Sequence, residues 1–168
     1  MQKDLLLVKS FQETLFKSMF GPASLKMIFD YYGIEKSEEE IAKLAGTTED
    51  LGTDDEGIKK AAESLGFKVE IKNESSFEDI QDYLSKKIPV IVNWFTRGRI
   101  NYDDSQVPDG HYSVVVGLDE EFIYLQDPEI GKLRKIERDD FMKAWFDFTG
   151  EYIKPDELVV RQLIAISK

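Results

Sequence analysis

Cysteine is missing altogether from this 168-residue chain. Its absence excludes disulfides, thiolate zinc sites, iron–sulfur ligation and any cysteine nucleophile. Histidine occurs once, as His111. Positive charge is scarce: 22 Lys and Arg against 33 Asp and Glu leave a net charge of -11. Such a field disfavours nucleic-acid phosphates and anionic membranes, whose contacts need clustered Lys and Arg, and suits basic or neutral polypeptides better. Its plainer role is solubility. Long apolar runs are absent too. Leu5 to Val8 is flanked by Lys3, Asp4 and Lys9, too short for a signal-peptide core and without a small-residue cleavage site. With no membrane span, no low-complexity linker and no GxxxxGK[ST] nucleotide-binding motif, a cytoplasmic protein is expected, with its partner on a separate chain.

What is present is ordinary for a globular domain, with 42% hydrophobic and 33% charged residues. One domain over 1–168 is expected, long enough to bury about two thirds of its unfolded surface. Leu25, Ile28, Phe29 and Tyr32 repeat at helical spacing after Pro22, and Gly33 offers a stop. Ser37 with Glu40, Thr53 with Glu56 and Ser76 with Asp79 mark three further helix starts. "FKVEIK" and "PVIVNWF" read as strands, "HYSVVVGL" and "EFIYLQD" as a hairpin around Asp119 and Glu120, and "KLRKI" as an added strand. Arg138 to Phe148 reads as a helix with Phe141, Met142 and Trp145 inward, and "ELVVRQLIAIS" as a last strand. Helices first and a mostly antiparallel sheet second define an α+β class. Thr96 to Gly110 is a long stretch without periodicity, the kind of loop that often carries function.

The chemistry concentrates at the hairpin mouth. His111 opens the first strand and Asp127 closes the second. If paired residues sum to about 240, Asp127 is the diagonal neighbour of His111 on one face. A register odd by one residue would separate them. A carboxylate beside an imidazole orients it and favours its charged form, which is half of a nucleophilic triad. The acidic loops Asp50–Gly57 and Asp103–Asp109 lack a regular ligand ladder, so neither a metal nor a cofactor is expected.

The ordered series "GPASLKMIFDYYG", "SEEEIAKLAGTT", "GTDDEGIKKAAESLGFKVE", "SFEDIQDYLSKKIPVIV", "GHYSVVVGLDEEFIYLQDP" and "FMKAW" resembles the bacteriocin-processing cysteine peptidases of family thirty-nine and their stand-alone relatives, from about Val8 to Phe148. The resemblance implies a papain-like fold, with His111 as general base and Asp127 as its orienter. It also places Phe20 where the nucleophilic cysteine of the family stands. Phenylalanine has no lone pair with which to attack a carbonyl. The family's oxyanion glutamine is expected about six residues earlier, where Thr14 sits, with Gln12 two residues further back as the substitute. Ser18 and Ser24 flank the position without occupying it. The leading expectation is an inactive peptidase homologue that binds extended polypeptide in the former groove, walled by Thr96–Gly110. The alternatives are an active hydrolase with another nucleophile, and a peptidase whose native cysteine is missing from this chain.

Overall fold

The structure is a computed structural model and describes residues 5–14, 20–48, 53–95, 110–148, 155–156 and 158–168. Helix α1 (Phe20–Tyr31) buries Leu25, Ile28 and Phe29 along one face. Helix α2 (Glu38–Ala45) starts where Ser37 Oγ accepts the Glu40 N–H and stops at Gly46, whose φ of 68° is cheap only for glycine. Helix α3 (Asp55–Ser64) is capped by Asp54, which accepts the Gly57 N–H, and not by Thr53 as the sequence pattern predicts. The reason is local. Thr53 spends its hydroxyl on Thr47 at 2.5 Å and packs its side chain over Gly21 of α1.

Strand β1 (Lys68–Lys72) is followed by α4 (Phe77–Ser85), entered through a reciprocal Ser76–Asp79 capping box. Then come β2 (Val90–Phe95), β3 (Gly110–Leu118), β4 (Phe122–Asp127) and β5 (Lys132–Glu137). Helix α5 (Arg138–Ala144) is shorter than the sequence pattern suggests. Its continuation becomes β6 (Phe146–Asp147), paired with β7 (Val159–Val160). Phe141 and Trp145 point inward as expected, but Met142 is 38% exposed, because it lies about 100° around the helix from Phe141. The last predicted strand is broken by Arg161, whose positive φ separates β7 from β8 (Leu163–Ser167).

The main sheet has the order β1-β8-β2-β3-β4-β5, and every pair in it is antiparallel. One face, with Ile91, Val114 and Ile164, packs on α1, α2 and α3. The other, with Val92, Val115 and Leu163, packs on α4 and α5. The strand faces alternate as a sheet covered on both sides requires.

One irregularity positions the site. Val115 faces Leu125, but Gly117 faces Tyr124, so Val116 is an extra residue in β3. Near the turn, paired residues sum to 241, and beyond the bulge they sum to 240, as Val114 with Gln126 shows. Without the bulge Asp127 would pair with Val114 and share its face, opposite to that of His111. The segment 5–14 fastens this hairpin. Leu6 donates its N–H to Val116 O at 2.9 Å, Gln126 Nε2 donates to Val8 O at 2.9 Å, and the Glu13 N–H donates to Pro128 O at 2.9 Å. Leu5 passes so close over Gly117 that a Cβ there would fall on its Cδ2.

Candidate functional site

The hairpin brings His111 and Asp127 together. His111 Nε2–H donates to Asp127 Oδ1 at 2.6 Å, and both side chains are buried. The same carboxylate oxygen accepts the Glu129 N–H at 2.9 Å, and its other oxygen accepts Arg134 Nε. Arg134 reaches it because Leu125 pairs with Arg134 across β4 and β5, so Asp127, two residues on, is a diagonal neighbour on the same face. Burial by itself raises the Asp127 pKa. The charge and hydrogen bond of His111, then Arg134 and the Glu129 N–H, outweigh burial and hold the carboxyl below the usual carboxylate range. A buried carboxylate shared between an imidazole and a guanidinium is thus fixed in its ionised form.

Two aromatic rings flank the imidazole. The Phe20 ring, at the start of α1, meets the His111 ring edge-on with centroids 4.2 Å apart. Trp94, paired with His111 across β2 and β3, closes a second side at 5.3 Å, and its indole N–H is held by Ser113 Oγ at 3.0 Å. His111 Nδ1 has no hydrogen-bond partner, and Glu129 Oε2 lies 3.6 Å from it. Ser24 Oγ is buried in α1 without a hydrogen bond, so it does not engage the imidazole. Gln12 Nε2 donates to the Glu129 carbonyl at 3.2 Å, while Thr14 gives both its N–H and its hydroxyl to Glu38. Gln12 is seated there against Gly131, a turn residue with φ of 68°. Ser18, Asp50, Asp103, Asp104, Asp109 and the loop 96–109 lie outside the described residues. Among the described residues, no group of three or more His, Asp or Glu side chains is arranged to hold a metal ion.

The peptidase C39 family pattern matches residues 17–153. An uncharacterized protein of Methanothermobacter marburgensis is 34% identical over 133 residues, covering 79% of this chain and 78% of its own length. The chain belongs to the peptidase C39 family. The transport/processing ATP-binding protein ComA of Streptococcus pneumoniae is 34% identical over 131 residues, and the match spans 77% of this chain but only 16% of that protein. A solved double glycine motif protease from an AMS/PCAT transporter, in complex with the leader peptide, superposes with a TM-score of 0.61 at 19% identity, over 99% of this chain and 100% of that one. The fold of this C39 member is therefore the papain-like α+β fold. Like its sequence, its structure contains no cysteine.

Two site residues were not singled out from sequence. Arg134 hides in "KLRKI", where Leu133 and Ile136 are the apolar letters but do not share a face. Leu133 is 38% exposed, and the inward pair is Arg134 and Ile136. The available signal was parity, since an arginine two places before an inward isoleucine must itself turn inward. Glu129, in the turn after β4, carried no comparable signal.

Proposed function

We propose that the chain is a catalytically inactive peptidase homologue whose former active-site groove binds an extended polypeptide. The observation that carries this reading is the Phe20 ring against His111, at 4.2 Å, in a chain without cysteine. In this reading His111 and Asp127 are the remnant general base and its orienter, Phe20 occupies the nucleophile position, and Gln12, the substitute oxyanion donor, gives one of its two amide N–H groups to the Glu129 carbonyl. An imidazole can move a proton, but it cannot replace the atom that forms the acyl intermediate.

Binding needs no nucleophile. Phe95, Phe146 and Phe148 stack at 5.3 to 5.4 Å beside Gly110, the partner of Phe95 and the neighbour of His111. This half-buried aromatic surface suits the apolar side chains of an extended segment, whose backbone adds its own hydrogen bonds. The leader-peptide complex of the structural relative supports the same ligand class. No helix among the described residues is long and apolar enough to cross a membrane, which fits a cytoplasmic setting.

The test is a titration of isotope-labelled protein with leader-type peptides, together with a hydrolysis assay on the same peptides. Shifts grouped at Phe20, Phe95 and His111, with no cleavage, are expected. Cleavage that His111→Ala abolishes would overturn inactivity, and absence of shifts at millimolar peptide would overturn binding.

A further inference from the structure

Beside the imidazole, on the opposite face of the strands, lies a row of polar side chains that the reading above does not use. Asn93 pairs with Tyr112 across β2 and β3, and the register of β2 with β8, which pairs Val92 with Leu163, continues to place Gln162 opposite Asn93. Gln162, Asn93 and Tyr112 therefore form one row across three strands, on the face that carries Ile164, Ile91 and Val114. Apolar residues would be expected there. Gln162 is 1% and Asn93 5% exposed.

The row is short of donors. Gln162 Nε2 donates to Asp55 Oδ2 at 3.0 Å and to Asn73 Oδ1 at 3.1 Å, which fixes the orientation of its amide and leaves Oε1 as a buried acceptor without a partner. Asn93 Oδ1 is a second buried acceptor without a partner. A native structure seldom leaves two such atoms in one row without a ligand or water to satisfy them. Carboxylates surround the tyrosine. Burial first, then Asp147, Asp55 and Asp54, push the Tyr112 hydroxyl up.

The acceptors also come from both halves of the molecule. Asp54 and Asp55 begin α3, on the helical side, whereas Asn93, Tyr112 and Gln162 belong to the sheet, and Tyr112 adjoins His111 in β3. Adjacent strands lie about 4.8 Å apart, a spacing that a planar cation with five N–H donors can bridge and that a compact ammonium serves less well. A metal ion fits poorly, since the row offers amide oxygens and the described residues hold no cluster of three metal-binding side chains.

We propose that Asn93, Gln162 and Asp55, with Tyr112, form a subsite for the guanidinium of an arginine side chain. It rests on the polypeptide-binding reading only in taking that arginine from a bound polypeptide.

The test reads the side-chain amide signals of Asn93 and Gln162 in labelled protein during titration with N-acetyl-arginine amide and, separately, with its neutral isostere N-acetyl-citrulline amide. Saturable shifts of both amides and of Tyr112 are expected with the arginine compound at millimolar concentration. The citrulline compound should give none, and Asp55→Asn should weaken the arginine response about tenfold. Equal shifts from both compounds, unchanged affinity in Asp55→Asn, or no response at all would overturn the proposal, the last meaning that only ordered water satisfies the row. Asp55→Asn is chosen because it removes charge without opening the core. Leader-type peptides with and without arginine form the separating arm. Equal shifts at Phe20 and His111 from both would retain the groove and exclude the subsite, and a response to arginine amide alone would retain the subsite and exclude the groove.

Discussion

The two sides of the His111 imidazole are held by opposite physics. Toward β4 and β5 it faces a buried chain of charges, with Asp127 bonded to both His111 and Arg134. Toward α1 and β2 it faces the apolar rings of Phe20 and Trp94. The difference bears on the proposed reading, in which an aromatic ring stands at the nucleophile position beside an intact His111–Asp127 pair. Replacing a small side chain by an aromatic one at the start of α1 adds apolar contact and leaves no charge unpaired. Removing Asp127, His111 or Arg134 would strand buried polar groups, which costs several kcal/mol. The presence of His111 and Asp127 is therefore accounted for by folding and is no argument for turnover.

This contrast can be broken most severely at Arg134. Arg134→Met should destabilise the protein by about 4 kcal/mol in urea unfolding at pH 7, because it leaves a buried carboxylate without its guanidinium. The loss should depend on pH. The native Asp127 pKa is depressed, so its stabilising contribution is present above the unfolded value of about 3.9 and disappears as the pH falls toward the native value. The gap between variant and wild type should accordingly narrow below about pH 4. A gap that stays constant on acidification would show that Arg134 acts through packing.

Phe20→Ala probes the apolar side and should cost about 3 kcal/mol through the cavity it opens. Here no pH dependence is expected between pH 5 and 8. A cost that varied with pH in that window would mean that Phe20 and the charged side are coupled. The next effect is smaller and chemical. Phe20→Cys should be alkylated by iodoacetamide at pH 6 about tenfold faster folded than in urea, since a helix start next to an imidazole is the kind of setting that lowers a thiol's pKa. Equal folded and unfolded rates would show that the imidazole is aimed elsewhere. The mildest change, Gly117→Ala, should cost about 1 kcal/mol by pushing against Leu5 while leaving the His111 ring resonances in place. Displaced resonances would show that the bulge had moved.

Much of the frame was legible because local chemistry decided it. The α1 stripe, the caps at Ser37 and Ser76 and the β3–β4 hairpin all follow from spacing within a few residues. The early stop of α5 did not, because its periodic apolar residues continue through Trp145 while pairing with the distant Val159 and Val160 makes Phe146 and Asp147 a strand. At the site, the approach of His111 to Asp127 depended on a parity that letters alone leave open. Arg134 and the row formed by Gln162, Asn93 and Tyr112 depend on which strands become neighbours, and β8 lies between β1 and β2 against sequence order.

The bulge at Val116 gives the hairpin a peculiar sensitivity to counting. Most single substitutions in β3 alter what one position contributes and leave every other side chain on its own face. Deleting one residue between His111 and the turn would change no chemistry at the deletion itself, yet it would turn the histidine and the aspartate to opposite faces of the sheet. Two relatives could thus share every letter of the "GHY" and "DP" segments and differ in whether those residues meet. The length of the stretch between them, as much as its composition, decides whether a related chain inherits this arrangement.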